Sequence, residues 1–432
     1  MFQTIRNALA IPETRKKLLY TLMIIVLFRI GAAIPVPFLD PSALKAMVES
    51  SGDFLGYFDI MTGGSFANAT LFAMSITPYI NASIIVQLLT VAIRPLERMA
   101  KEGETGRKKL AKITRYVTFG IALLMAIAYY FLARSSGALT ETYMVGKTGF
   151  FVACVIVVTF VAGTAVIVWL GERINEKGIG NGISIILFAG IISRGPAMIA
   201  TAVQYWQYGE SNPMYYFLIP LIVVIFILMI GFIVLMTNAE RRIPVQYAKR
   251  VVGRKMYGGQ SSHIPIKVSM SGVMPIIFAS SFISIPGTIV AFCNPEQGSF
   301  WWQFGQLFNY TSLFYGVLYF LLIIGFNYFY VAIQYNPVEI ANNLRKNNGA
   351  IPGIRPGKPT SDFISKVLSK ITFVGAIFLG IIAIFPILFT NVSGMNVAIG
   401  GTSILIVVGV ALETMRTLES QITMRHHKGF LE

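Results

Sequence analysis

Ten stretches of predominantly apolar residues divide the chain, at about 18–37, 71–93, 116–133, 149–170, 179–202, 213–237, 268–292, 313–333, 371–389 and 397–415. Each is close to the roughly 20 residues a transmembrane helix needs. The pattern predicts an all-α, polytopic membrane protein of ten helices. Strands of roughly ten alternating residues, which mark a membrane β-barrel, are absent. The first apolar stretch is too long for a cleavable signal, and no small-x-small cleavage site follows it.

Composition agrees with the pattern. The 432 residues are 55% hydrophobic and 12% charged, with mean hydropathy +0.67. A soluble chain carries about 25% charged residues, so an ordinary soluble enzyme, a disordered chain and a fibrous one are excluded. The net charge of +16 is distributed by side. With a cytoplasmic N-terminus, 30 of the 35 Lys and Arg fall in inside connections and 4 in outside ones, and Arg29 lies within the first span. That asymmetry places both termini in the cytoplasm and supports an even number of spans.

Four connections are more than linkers. The outer stretch 40–70 holds Tyr57, Phe58, Ile60, Met61 and Phe66 around Gly63 and Gly64. It is too apolar for a solvated loop and too short to span. It reads as a short re-entrant helix, tolerated where it is buried or lines a cavity, or as an amphipathic helix on the outer surface. The inside connections 94–115, 238–267 and 334–370 are long and basic. In the second, the alternation of Ile243, Val245 and Tyr247, followed by Val251 and Val252, predicts a β-hairpin. Retention charge explains the sign of these loops. Their length, beyond the roughly 12–15 residues of an ordinary connection, favours docking of a partner. Ten spans split into five plus five, and an odd number per half inverts the second half. The expected halves are 1–208 and 209–432.

Familiar reaction chemistry is missing. There is no HExxH and no paired-cysteine zinc motif, and Cys154 and Cys293 form no disulfide framework. No metal, cofactor or catalytic group is expected. The glycine-rich run at 353–360 lacks phosphate-loop spacing, and its prolines remove the amide donors that phosphates need. No Asp or Glu lies at mid-span, which argues against ion-coupled transport. Span two is polar in unusual places, with Asn81, Ser83 and Gln87 within it. Its Ile76, Ile80 and Ile84 stand four apart on one face. Span five repeats the theme with Asn181 bringing an amide into the span, and with Ile183 and Leu187 four apart. Such helices line something other than lipid.

At these residues the chain resembles the bacterial SecY family, the central channel subunit of the Sec protein translocase. ITPYINASIIVQLLT, GIGNGISIILFAG, RRIPVQYAKR, GVMPIIFASS, NPVEIANNLRKNNGAIPGIRPGKPT and GGTSILIVVGV carry the likeness, in order. The resemblance implies an hourglass pore between two inverted halves, with a waist of Ile76, Ile80, Ile183, Leu187, Ile277 and Ile406. Leu187 replaces the commoner isoleucine without loss of apolarity. It implies a plug at about 54–67 (Tyr57, Phe58, Ile60, Met61, Gly63, Gly64 and Phe66). It implies a lateral gate near Gln87, Asn181, Ser280 and Ser281, in which Gln87 and Asn181 would act as buried amides. Docking of the SecA motor or the ribosome would use Arg241, Arg242, Lys249, Arg250, Arg254, Lys255, Arg345, Lys346, Arg355 and Lys358. The implied partners are the SecE and SecG membrane subunits, SecA, the ribosome, preprotein signal sequences and membrane lipids. The implied location is the bacterial cytoplasmic membrane. The competing classes are a secondary transporter, which would need a buried ion site, and an intramembrane enzyme, which would need a reactive constellation at depth.

Overall fold

The computed structural model describes residues 6, 8–50, 59, 62–139, 146–210, 213–247, 250–252, 255–257, 261–293, 299–308, 312–393 and 401–428. Each of the ten apolar stretches carries a helix. In chain order the elements begin α1 (Pro12–Gly31), α2 (Pro41–Ser50), α3 (Thr77–Ala92), α4 (Arg94–Lys101), α5 (Glu104–Ser135), α6 (Gly146–Lys177), α7 (Gly182–Ile192), α8 (Gly195–Gln207) and α9 (Met214–Asn238). Then follow β1 (Glu240–Tyr247), β2 (Arg250–Val252), β3 (Lys255–Tyr257) and β4 (Ser261–Lys267). The chain continues as α10 (Met274–Cys293), α11 (Phe300–Leu307), α12 (Leu313–Gln334), α13 (Pro337–Lys346), β5 (Gly349–Ala350), α14 (Lys358–Ser393) and α15 (Gly401–Lys428). Among the described residues six helices are long and apolar enough to cross a membrane, or seven if α3 and α4, bent by 102°, count as one. The other expected spans are shorter or include charged turns.

Helix ends depart from the apolar stretches for local reasons. The first helix stops at Gly31, because Pro35 and Pro37 favour extended backbone, and Pro35 bridges Thr70 instead. Residues 71–76 are turns, and α3 begins only at Thr77, with Pro78 in its first turn. The fifth stretch is two helices, broken at Ser193 and Arg194 ahead of Pro196 in the first turn of α8. Conversely α5 and α14, of 32 and 36 residues, run well past the apolar stretches into the basic connections. The connections expected as long loops therefore have regular structure, which accounts for their length.

The expected hairpin is present and larger. β1 pairs with β4 from Glu240↔Lys267 to Gln246↔Ser261, and β2 pairs with β3 beyond it. The two-residue β5 adds to the other edge of β1, through Gln246↔Ala350 and Tyr247↔Gly349. Ile243 and Val245 are buried while Arg241, Arg242 and Gln246 are exposed, the alternation of a sheet with one packed face. Beneath it Ile243, Val245, Ile266, Leu344, Ile351, Ile364 and Leu368 form one apolar cluster. Two connections separate in sequence are thus welded into a single platform.

Apolar packing falls into zones. One cluster joins Val36, Leu44, Phe66 and Ala69 to Tyr129, Tyr130, Val152 and Phe160. A second joins Ile233, Ile276, Ile283, Tyr319, Ile323, Phe378, Ile382 and Leu405. A third lies between them and draws on both parts of the chain. In lipid the tails are as apolar as leucine, so tight packing rather than burial holds helices together. A Cβ on Gly182 would stand 2.0 Å from the Gly171 carbonyl oxygen, so α6 and α7 cross with their backbones in contact. Large apolar side chains such as Phe217, Leu228 and Leu313 point outward, the face expected toward lipid. Arg416 donates to the Thr237 carbonyl at 3.1 Å and to Asn238 Oδ1 at 2.6 Å, capping the C-terminus of α9.

Candidate functional site

The central cluster is built from α1, α3, α6, α7, α10 and α15. Ile76, Ile80, Leu187, Ile277 and Ile406 are buried in it together, and Ile183, half-buried, packs against it. Six residues spread over 331 positions of sequence thus meet in one apolar body. Two helix starts aim them. Ile76 precedes the first turn of α3, and its carbonyl accepts from the Ile80 amide at 3.1 Å. Asn181 caps α7, its Oδ1 accepting from the Ile183 and Ser184 amides at 3.1 and 3.5 Å. Aliphatic side chains meeting this way form no directional bonds. They can part without leaving a donor or acceptor unpaired.

Asn181 corrects an expectation. It is exposed and engaged with its own helix, because α7 starts after it, so it is not a buried amide within a span. Gln87 is half-buried on α3, and among the described residues no hydrogen bond joins it to Asn181. Ser280 is buried and its hydroxyl donates to the Ile277 carbonyl at 2.9 Å, while Ser281 is half-buried beside it. α3 and α10 meet only lightly, whereas α3 packs extensively on α5 and α10 on α12. Arg29 lies within the first helix, as expected. It lies in the last turn of α1, and its Nη1 donates to Ser193 Oγ at 2.9 Å.

Tyr57, Phe58, Ile60 and Met61 lie outside the described residues. Asp59 and 62–70 are described, and 62–69 fold as successive turns rather than a helix. Gly63 and Gly64 have positive φ of 67° and 87°, a conformation that suits glycine. A Cβ on Gly63 would lie 2.7 Å from the Gly190 carbonyl oxygen and 2.8 Å from Ser193 Oγ, so these turns sit against the end of α7. Gly190 is three residues beyond Leu187, about 4.5 Å along the helix. The turns therefore lie at the C-terminal end of α7, about one turn from Leu187. Thr62 donates to the Asp59 carbonyl at 3.1 Å, and Asp59 Oδ1 accepts from the Ala67 amide at 2.8 Å. The Asp59 carboxylate also pairs with the Arg194 guanidinium at the break between α7 and α8. Tyr129 donates to the Phe66 carbonyl at 2.7 Å and packs edge-on against Phe66 and Phe160. Upstream, the Ser42 hydroxyl and amide both donate to Asp40, holding its carboxyl below the usual range at the start of α2.

Sequence reasoning missed Asp59, Tyr129 and Arg194. The available signal was a lone acid beside the glycine pair and a lone base in the outer half of span five.

The basic positions lie on the platform. Arg241 and Arg242 are exposed on β1, and Arg345 and Lys346 are exposed at the end of α13. Arg355 is exposed on a turn held at each end by buried Ile351 and Thr360. The Thr360 hydroxyl donates to the Arg355 carbonyl at 2.8 Å. Gly353 and Gly357 flank it with φ of 79° and 105°, and Lys358 opens α14. Arg250 and Lys255 are on β2 and β3, while Lys249 and Arg254 lie outside the described residues.

A bundle of apolar helices with turns folded over a central aliphatic cluster defines a multi-pass membrane protein of channel type. The family model described as SecY matches residues 70–415, and the chain belongs to the SecY family. It is 41% identical to the protein translocase subunit SecY of Bacillus subtilis over 443 residues, covering all of both chains. It is 43% identical to that of Thermotoga maritima over 439 residues, covering 100% of this chain and 98% of the relative. Among solved structures it is similar to a protein-conducting channel, with TM-score 0.63, 17% identity and coverage of 94% and 92%. It is also similar to Sec61 in a canine ribosome–channel complex from the endoplasmic reticulum, with TM-score 0.59 and 16% identity over 94% and 92%.

Replacing Tyr129 with phenylalanine removes one of two donors to the Phe66 carbonyl, the Ala69 amide at 3.2 Å remaining, a net loss of about 0.5–1.5 kcal/mol. The turns at 62–69 should then open more often. A cysteine at Ser65 is expected to react with a membrane-impermeant thiol reagent at least about fivefold faster in the Tyr129→Phe background. An unchanged rate would remove Tyr129 as a clamp.

Proposed function

We propose that this chain is the protein-conducting channel of a Sec translocase. It moves unfolded preproteins across the bacterial cytoplasmic membrane and releases transmembrane segments sideways into the lipid. The observation that carries this reading is the meeting of Ile76, Ile80, Ile183, Leu187, Ile277 and Ile406 in one apolar cluster. A narrow aliphatic waist resists a thread of water and ions. It also yields to a passing polypeptide without preferring one sequence. The channel subunit is no enzyme; the work comes from a partner.

Two halves, 1–208 and 209–432, would move about this waist. In support, one apolar cluster belongs wholly to the first half and two to the second, and the central one contains residues of both. The light meeting of α3 with α10 suits a lateral gate, with α5 and α12 behind and Gln87, Ser280 and Ser281 along it. An apolar signal helix that binds only the parted state shifts such a gate toward opening. The segment around Gly63, Gly64 and Phe66 acts as the plug over the waist, as its seat on Gly190 and Ser193 suggests. In one similar solved structure, the SecY plug domain stabilises the closed state and maintains a membrane seal.

The basic platform faces the cytoplasm in this reading, as do both termini. Arg241, Arg242, Arg345, Lys346, Arg355 and Lys358 would hold the SecA motor or the ribosome. Ribosome-bound neighbours of the same fold make the second partner reasonable. SecE and SecG would complete the membrane complex.

Two measurements test this function. Ile277→Asn puts an amide into the waist, where an unpaired polar group costs about 1–3 kcal/mol. Export of a preprotein with a defective signal should rise at least about fivefold in reconstituted vesicles, and unchanged signal stringency would count against the waist. Arg355→Glu should lower motor-driven export about tenfold while the protein still folds. Export at the parent rate would remove Arg355 from the docking face.

A further inference from the structure

We infer that Arg194 is the positioning residue for the plug, and that its ion pair with Asp59 is the latch that sets how often the closed channel opens. The inference rests on the plug reading and assigns to one pair the control of that closure.

Asp59 is 4% exposed, and both of its carboxylate oxygens are engaged. One accepts from the Ala67 amide, closing the plug turns on themselves, and the carboxylate meets Arg194. The acid thus holds its own segment together and ties it to span five with the same group. Arg194 sits where span five breaks, a few residues beyond Leu187 at the waist. The plug segment, in turn, runs on through 71–76 to Ile76 and Ile80 of α3. A bond between residues 59 and 194 therefore joins the two helices of the first half that contribute waist residues.

The seat around the pair is close and polar. A Cβ on Gly64 would lie 3.6 Å from Arg194 Nε, and Gly63 rests on Gly190 and Ser193. Ser193 donates to the Gly190 carbonyl at 2.6 Å and accepts from Arg29 at 2.9 Å. The hydroxyl thus holds Arg29 beside the latch, while the plug carboxylate is committed to Arg194. Apolar contact could seat the plug without any charge. An ion pair whose acid is buried adds something different, because removing half-buried Arg194 leaves the Asp59 charge uncompensated. The pair therefore acts as a switch with two positions: closed when the charges meet, and open when Asp59 leaves with the plug and both groups gain water.

Single-channel recording of the purified full-chain complex in planar bilayers tests the latch. Asp59→Asn and Arg194→Gln should each raise the fraction of time open at least about tenfold. The double variant should open no more than either single variant, because both remove one interaction. Arg194→Lys should restore most of the closure. Deleting residues 57–67 should open the channel, and adding Arg194→Gln to that deletion should change nothing further. If the deletion opens the channel but the single variants stay closed, the latch is wrong and the plug reading survives. Additive single variants, or an Arg194→Gln effect that persists in the deletion, would also overturn the latch. A deletion that leaves conductance unchanged would overturn the plug reading and the latch with it. Should Arg194→Gln fail to assemble, Asp59→Asn read against the deletion decides by the same expectations.

Discussion

A passage for a polypeptide through a membrane has to be shut by contacts that leave nothing unpaired when they part. Water cannot enter the hydrocarbon region cheaply, and a polar seal broken there would expose donors and acceptors at several kcal/mol each. Aliphatic side chains avoid that cost. The cluster of Ile76, Ile80, Ile183, Leu187, Ile277 and Ile406 satisfies this constraint. Much of the surrounding structure can be understood as the means of bringing those six side chains to one place.

Those means are local and specific. Pro78 and the turns at 71–76 delay the start of α3, so Ile76 stands at its mouth. The Asn181 cap fixes where α7 begins, and the break after Ile192 fixes where it ends. The polar work is moved to the rim. Tyr129 holds the turns at 62–69 through the Phe66 carbonyl, and Arg194 holds Asp59 just ahead of them. The sheet β4-β1-β5 and its small core support exposed basic residues such as Arg241 and Arg242. Apolar contact in the middle, hydrogen bonds and charge at both ends, is the arrangement proposed to let a partner's work reach the waist.

How much of this was legible in the sequence varied with the range of the interactions. A helix in each apolar stretch followed from apolar length, and the β1–β4 hairpin from the alternation at Ile243, Val245 and Tyr247. The six waist positions were legible only through the family's motifs, since isoleucines four apart occur in any lipid-facing helix. Helix ends were misjudged wherever composition and backbone chemistry disagree. The apolar stretch 71–76 is irregular, while the basic start of α5 is helical because Lys, Arg and Glu are good helix formers, and that of α14 opens with Pro359 in its first turn and packs Ile364 and Leu368 into the platform core. Asn181 reads as an amide inside a span until the cap is seen. β5 is two residues long and exists only because β1 offers an edge. Asp59 and Arg194 are 135 positions apart, and nothing local marks them as partners.

The most direct test of the waist arrests a preprotein part-way through the reconstituted channel, with a single cysteine in the segment that crosses the membrane. Disulfides should form with cysteines placed singly at Ile80, Leu187, Ile277 and Ile406, and not with one at outward-facing Leu228 on α9. Crosslinking at position 228 with none at those four would contradict a passage through this aliphatic cluster.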